Sequence, residues 1–135
     1  NQLTNIKEAC GQYPMINQIE VHPFCNRIKL RNFCRDNGIV IMAHSPFAHG
    51  DAMKELLEND ILQRIATKHN KSVAQIILKW IIQQNMIVIP RSTNSNRLRE
   101  NYDIFDFTLS DEDILLIDSL NRDQSYGVRS ANQTE

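Results

Sequence analysis

The chain has 135 residues, 41% of them hydrophobic and 23% charged, an ordinary globular balance in a length sufficient for one core. The net charge of −1 provides no broad basic field for nucleic acid or an anionic membrane, so any anion recognition must be local. Neither end has a signal-peptide pattern, no apolar run approaches the roughly 20 residues of a membrane helix, and Cys10, Cys25 and Cys34 form no C-x-x-C pair, so a cytoplasmic, reducing location is expected.

Thr4 to Ala9 reads as a short helix with Thr4 as N-cap, closed by Gly11 and Pro14. Met15 to Val21 comes next as a strand, with Gln18 and Glu20 on one face and His22-Pro23 as its stop. Ile28, Leu30, Phe33 and Cys34 have helical spacing before Asp36-Asn37-Gly38, which predicts a helix from about Arg27 to Asn37. Ile39-Val40-Ile41-Met42-Ala43 is a continuous apolar run, as expected of a strand buried on both faces, and His44-Ser45-Pro46 closes it.

Phe47 to Asn59 reads as a surface loop with a short helix at Met53 to Leu57. Ile61, Leu62, Ile65 and Ala66 form one helical stripe, and Val73, Ile76, Ile77, Trp80 and Ile81 form another after the cap Ser72. Met86 to Ile89 is expected to be a third buried strand, followed by a polar helix from about Ser95 to Asn101. The last helix starts at Ser110, with Asp113 in the capping-box position, and is expected to bury Ile114, Leu115, Ile117 and Leu120 before a polar tail after Asn121. Strands alternating with helices imply an α/β fold with parallel pairing and right-handed crossovers. Three strands with this many helices look like part of a larger sheet or barrel, because a parallel sheet needs cover on both faces.

The most informative chemistry lies between Ile87 and Asn101. An apolar strand runs through Pro90-Arg91-Ser92-Thr93-Asn94 into a helix containing Arg97, Glu100 and Asn101. A helix N-terminus with unpaired N–H groups, flanked by guanidinium groups, suits a phosphate. Arg97, Glu100 and Asn101 share a helix face, so Glu100 and Asn101 could hydrogen-bond a base such as adenine. Composition leaves equally open a solvated helix with an Arg97–Asn101–Glu100 surface cluster.

His44 ends a strand, where α/β folds place ligand contacts, although a lone histidine there is more often structural; His22 invites the same reading. His22-x-x-Cys25 lacks the second ligand pair of a structural zinc site, so no metal is expected. Ser45 lacks a G-x-S-x-G elbow, and no Walker loop or G-x-G-x-x-G occurs. Asp111-Glu112-Asp113 suits a helix dipole and reads as structural.

At these residues the chain resembles the aldo-keto reductase family, in the C-terminal half of its (β/α)8 TIM-type barrel. Asn17-Gln18-Ile19-Glu20 with His22-Pro23, and Gly38-Ile39-Val40 leading to Ser45-Pro46, resemble two successive strands and turns of that family. Ala74-Gln75 with Leu78-Lys79-Trp80 resembles the helix before its last strand. Ile89-Pro90-Arg91-Ser92 with Arg97-x-x-Glu100-Asn101 resembles its NADP-binding signature, and Phe105-Asp106-Phe107-x-Leu109-Ser110 resembles the segment next to that signature on its C-terminal side.

The resemblance implies NADP(H) as cofactor, with Arg91, Ser92, Thr93, Asn94 and Arg97 around the 2′-phosphate and Glu100 and Asn101 near adenine. It places Ser45 and Phe47 on the pyrophosphate, Gln18 on the nicotinamide carboxamide and His44 under the nicotinamide ring. Two residues depart from the pattern: Arg91 stands where the family usually has lysine, and His44 where it commonly has a stacking tyrosine. The implied reaction is hydride transfer from NADPH to a small aldehyde or ketone by a full-length, monomeric protein with no nucleic-acid or membrane partner. Its catalytic tyrosine, lysine, aspartate and histidine are expected outside this chain, which would supply cofactor contacts from about the last three strands of one barrel domain. The alternative expectation is a truncated, non-catalytic paralogue that binds a nucleotide or a partner protein.

Overall fold

The computed structural model describes residues 2–126. In chain order these form α1 (Gln2–Cys10), β1 (Ile16–Glu20), α2 (Ile28–Asp36), β2 (Val40–His44), α3 (Gly50–Leu57), α4 (Asp60–His69), α5 (Val73–Gln83), β3 (Ile87–Val88), α6 (Ser95–Tyr102) and α7 (Asp111–Asp118). The strands make one parallel sheet in the order β1-β2-β3. Register places Gln18 beside Met42, Glu20 beside His44, and Met42 beside Ile87. Parallel pairing requires long crossovers, and α2 and the α3–α5 run provide them.

Side chains set several element ends. Asn59 accepts hydrogen bonds from the backbone N–H groups of Ile61 and Leu62 at the start of α4. Ser72 and Gln75 form a reciprocal capping box at the start of α5, and Ser110 and Asp113 do the same for α7. Gly38, at φ +69°, makes the left-handed turn between α2 and β2. At the N-terminus, α1 already includes Gln2, so Thr4 lies within the helix and is not its cap. The expected short helix in the loop after Phe47 is longer, starting at Gly50.

The helices cover one face of the sheet. Ile19, Val21, Ile41 and Ala43 are buried in a common core with Leu62, Ile65, Ile76, Ile77, Trp80, Ile81 and Ile117. The pleat sends alternate side chains to the opposite face, where Ile16, Val40 and Ile87 are 47%, 43% and 44% exposed. The expectation that Ile39–Ala43 and Met86–Ile89 are buried on both faces is therefore corrected: the described helices cover one side, leaving the other apolar and open. A second correction concerns α7, where Leu115 is 69% exposed while Ile117 is buried and Ile114 and Leu120 pack against the core. Two residues rotate a helix by about 200°, which turns Leu115 away from the face holding Asp113 and Ile117.

Candidate functional site

The sheet delivers two chain segments to the C-terminal ends of its strands. β2 ends at His44, and the chain turns sharply with Ser45 at φ +51° and Ala48 at φ +56°. The Ala48 N–H donates to the Ser45 carbonyl at 2.9 Å, closing the turn. Ser45 Oγ lies 2.9 Å from His44 Nδ1 and 2.7 Å from His49 Nε2, so one hydroxyl joins two imidazoles. Phe47 is half-buried and packs against the core. On β1, Gln18 lies on the exposed sheet face.

The second segment leaves β3. Ile89 N–H donates to the Ala43 carbonyl at 3.1 Å, carrying the pairing past Val88 and directing Pro90 and Arg91 beyond this end of the sheet. Asn94 N–H donates to Ser92 Oγ at 3.2 Å, folding residues 92–94 into a turn before α6. Asn94 Oδ1 in turn accepts from the N–H groups of Asn96 at 2.9 Å and Arg97 at 3.2 Å. The helix start is thus partly capped by its own sequence, through the amide of Asn94. An anion there would depend mainly on the side chains.

Those side chains are available. Arg91, Ser92, Thr93, Asn94 and Arg97 form one continuous stretch at the surface, with only Ser92 half-buried. Among the described residues, the guanidinium groups of Arg91, Arg97 and Arg99 make no ion pair or hydrogen bond. Glu100 and Asn101 are half-buried on the same helix, and no side-chain bond joins them to Arg97, so the alternative of a surface cluster among the three residues is not formed here.

The far end of α6 is braced. Gln75 Nε2 donates to the carbonyls of Glu100 at 3.1 Å and Asp103 at 2.8 Å. Lys71 Nζ pairs with Asp103 at 2.9 Å and with Asp106 at 2.8 Å. Hydrogen bonding to Asp106 and Asp103 raises the Lys71 pKa, and the bond from Lys71 lowers that of Asp106. Counter-charges therefore engage the helix at its C-terminal end, while no described residue pairs with Arg97 in its first turn.

His22 has a structural role. It is fully buried, its Nε2 lies 3.2 Å from Glu20 Oε1, and its ring packs beside Phe24 and Tyr126. Burial pushes the Cys25 thiol up to about 11, so it is no ready thiolate ligand. No group of three potential metal-ligating residues occurs among the described residues. Glu20 also accepts from Ser125 Oγ and from the Tyr126 N–H at 3.0 Å, tying the tail after α7 to the end of β1. Sequence reasoning missed that strap, because its polar residues have no periodicity, and missed His49, which converges on Ser45 only through the left-handed turn.

Residues 1–122 match the profile of the Aldo/keto reductase family, and the match takes in both of these strand-end segments. The chain belongs to the aldo-keto reductase family. A curated aldo-keto relative, the 9,11-endoperoxide prostaglandin H2 reductase of Trypanosoma cruzi, is 42% identical over 94% of this chain and 44% of its own length. Glyoxal reductase of Bacillus subtilis is 48% identical over 84% of this chain and 40% of its own length. The crystal structure of the Bombyx mori aldo-keto reductase in complex with NADP matches with a TM-score of 0.86 and 34% identity, covering 96% of this chain and 44% of that one. The chain thus spans less than half the length of these aldo-keto reductases, and its three-stranded parallel sheet is consistent with part of a TIM-type barrel.

Proposed function

We propose that this chain forms the NADP(H)-holding part of an aldo-keto reductase that reduces a small aldehyde or ketone. It would contribute about the last three strands of a single (β/α)8 barrel domain, with the open face of β1–β3 lining the interior. The observation that carries this reading is the pair of guanidinium groups, Arg91 and Arg97, that no described residue engages, on a segment braced from behind by Gln75 and Lys71.

The donor set fits the cofactor. Arg91 and Arg97 offer forked, permanently charged donors to the 2′-phosphate, assisted by the hydroxyls of Ser92 and Thr93 and the cap residue Asn94. Glu100 accepts and Asn101 both donates and accepts, matching the amino group and ring nitrogens of adenine. Gln18 offers its side-chain amide to the nicotinamide carboxamide, while Ser45 and Phe47 border the pyrophosphate and His44 supports the nicotinamide ring. When bound, the cofactor supplies the hydride, and the chain's own residues orient it. No position in this chain matches the family's catalytic tyrosine, lysine, aspartate or histidine, so proton delivery to the developing alkoxide is assigned to groups outside it.

Arg91→Ala combined with Arg97→Ala tests the reading by titration with NADPH and NADH. The phosphate-specific loss is expected to be about 10- to 100-fold larger for NADPH, the range of one or two charge-assisted hydrogen bonds. Equal losses for both cofactors would remove 2′-phosphate recognition from this segment.

A further inference from the structure

Beyond the cofactor reading and independent of it, we propose that the cavity between α2 and the end of α5 is an oxyanion site that takes a phosphate group, free or on a small phosphomonoester. It lies at the N-terminal ends of β2 and β3, where Ile39 and Met86 line it, opposite the strand ends that carry His44 and Arg91. The cavity measures about 80 Å³ and is walled by Arg31, Asn32 and Arg35 on α2 and by Gln84 and Asn85 beyond α5. A water needs roughly 10–15 Å³ of such space, so there is room for about five heavy atoms, the size of a phosphate ion.

The wall is cationic. Arg31 and Arg35 are four residues apart on α2, so one helical turn stacks two like charges, which destabilises a helix unless an anion joins them. No acidic side chain lines the cavity. Arg35 pairs with Asp36 at 3.0 Å, but the two side chains are 72% and 63% exposed, so solvent weakens that pair. Arg31 is half-buried and in no ion pair among the described residues, and the nearby Asp118 accepts from the Trp80 indole at 3.0 Å. Burial lowers the Arg31 pKa, the charge of Asp118 opposes that, and the charge of Arg35 adds to it. A guanidinium still keeps its proton, so this end of the fold holds a desolvated cation without a full counter-charge.

Arg31 is held in position with donors to spare. Its Nη1 donates to the Asn26 carbonyl at 3.3 Å, its Nη2 donates to Gln84 Oε1, and its guanidinium lies 5.8 Å from the Trp80 ring centroid. These bonds use two of its five N–H groups. A purely structural role, capping the last carbonyls of α5, is already filled. The Trp80 carbonyl accepts from Gln84 Nε2 at 3.4 Å, and those of Ile81 and Ile82 accept the N–H groups of Gln84 and Asn85. The side-chain amides of Asn32 and Asn85 make no hydrogen bond among the described residues and add further donors to the wall. Asn85 reaches it through a left-handed turn at φ +59°. The buried side chains of Ile39, Ile41 and Met86 complete the lining with a low-dielectric surface that strengthens charge-assisted bonds.

The donor count selects the ligand. A carboxylate has two oxygens and one charge, whereas a phosphate group presents three or four acceptor oxygens and close to two negative charges at neutral pH, matching two guanidinium groups and two amides.

The test titrates the full chain with sodium phosphate at pH 7.5 and constant ionic strength, followed by nitrogen–proton NMR. The side-chain amide signals of Asn32 and Asn85 and the Arg31 Nε signal should move together and saturate at about millimolar phosphate. Arg35→Gln, at an exposed position, should weaken binding roughly tenfold through the loss of one charge-assisted bond, and sodium acetate should bind the wild type about tenfold more weakly than phosphate. Arg91→Ala combined with Arg97→Ala should leave these shifts in place. Glycerol 3-phosphate decides the source: affinity equal to or above that of phosphate supports a phosphomonoester, and exclusion supports the free ion. An absence of saturable shifts at Asn32 and Asn85, unaltered affinity in Arg35→Gln, or acetate binding equal to phosphate overturns the proposal. Shifts confined to residues 91–97 also overturn it, while leaving the cofactor reading intact.

Discussion

Asp113 keeps a negative charge where burial alone would favour its neutral form. It is nearly inaccessible, and desolvation raises its pKa, but hydrogen bonds from His69 at 2.9 Å, Lys68 at 2.9 and 3.1 Å and the Ser110 N–H at 3.1 Å outweigh that cost. The carboxyl is held well below the usual carboxylate range. A depressed folded pKa contributes stability that is present above the unfolded value, about 3.9, and is lost as pH falls through the folded one. Asp113→Asn should cost about 1–3 kcal/mol at pH 7, and the gap should narrow below about pH 4 in urea melts. A gap independent of pH would show that shape and not charge is at work. The capping box with Ser110 was legible in the sequence, because it lies within one helical turn. Lys68 and His69 were not, because they reach Asp113 from 45 and 44 residues away.

The placement of α6 illustrates the same limit one level up. Its range and its start were readable from Asn94, Ser95 and the polar periodicity, and the arginines pointed to an anion. What fixes the helix against the rest of the protein was hidden. Gln75 serves α5 and α6 at once, accepting from the Ser72 N–H at 2.9 Å while its amide donates to the Glu100 and Asp103 carbonyls. A residue with helical spacing looks like any other core-adjacent position until its amide is seen to bridge two helices. Gln75→Leu keeps the bulk and removes these bonds, so it should destabilise the chain by about 2 kcal/mol, the sum of a weakened cap and the lost side-chain hydrogen bonds to α6. Hydrogen exchange should accelerate in residues 95–102 more than in α4, and NADPH affinity should fall with it. Uniform acceleration across the chain would mean that Gln75 supports the core generally and does not orient α6 specifically.

The whole molecule combines a well-buried helical side with a sheet face that no described helix covers, apart from the strap of Ser125 and Tyr126 over Glu20. Parallel order and the strand-helix alternation were readable from sequence, since crossovers and β-branched runs have a recognisable period. Burial of both sheet faces was not, because an apolar run has the same composition whether its second face is covered within the chain or not. Ile16, Val40, Ile87 and Ile89 are each more than two-fifths exposed, on a sheet type normally covered on both sides. Such a face should bind an environment-sensitive apolar dye at neutral pH without unfolding. Replacing Ile87 and Ile89 with Thr preserves β-branching while shortening each side chain and shrinking the apolar stripe next to β2. Dye fluorescence should fall by about half, with a stability change within about 0.5 kcal/mol per site, as for surface positions. Unchanged fluorescence would locate the dye elsewhere. A loss of several kcal/mol would instead mean that these side chains are packed in solution, so that the face is already covered when the chain is free.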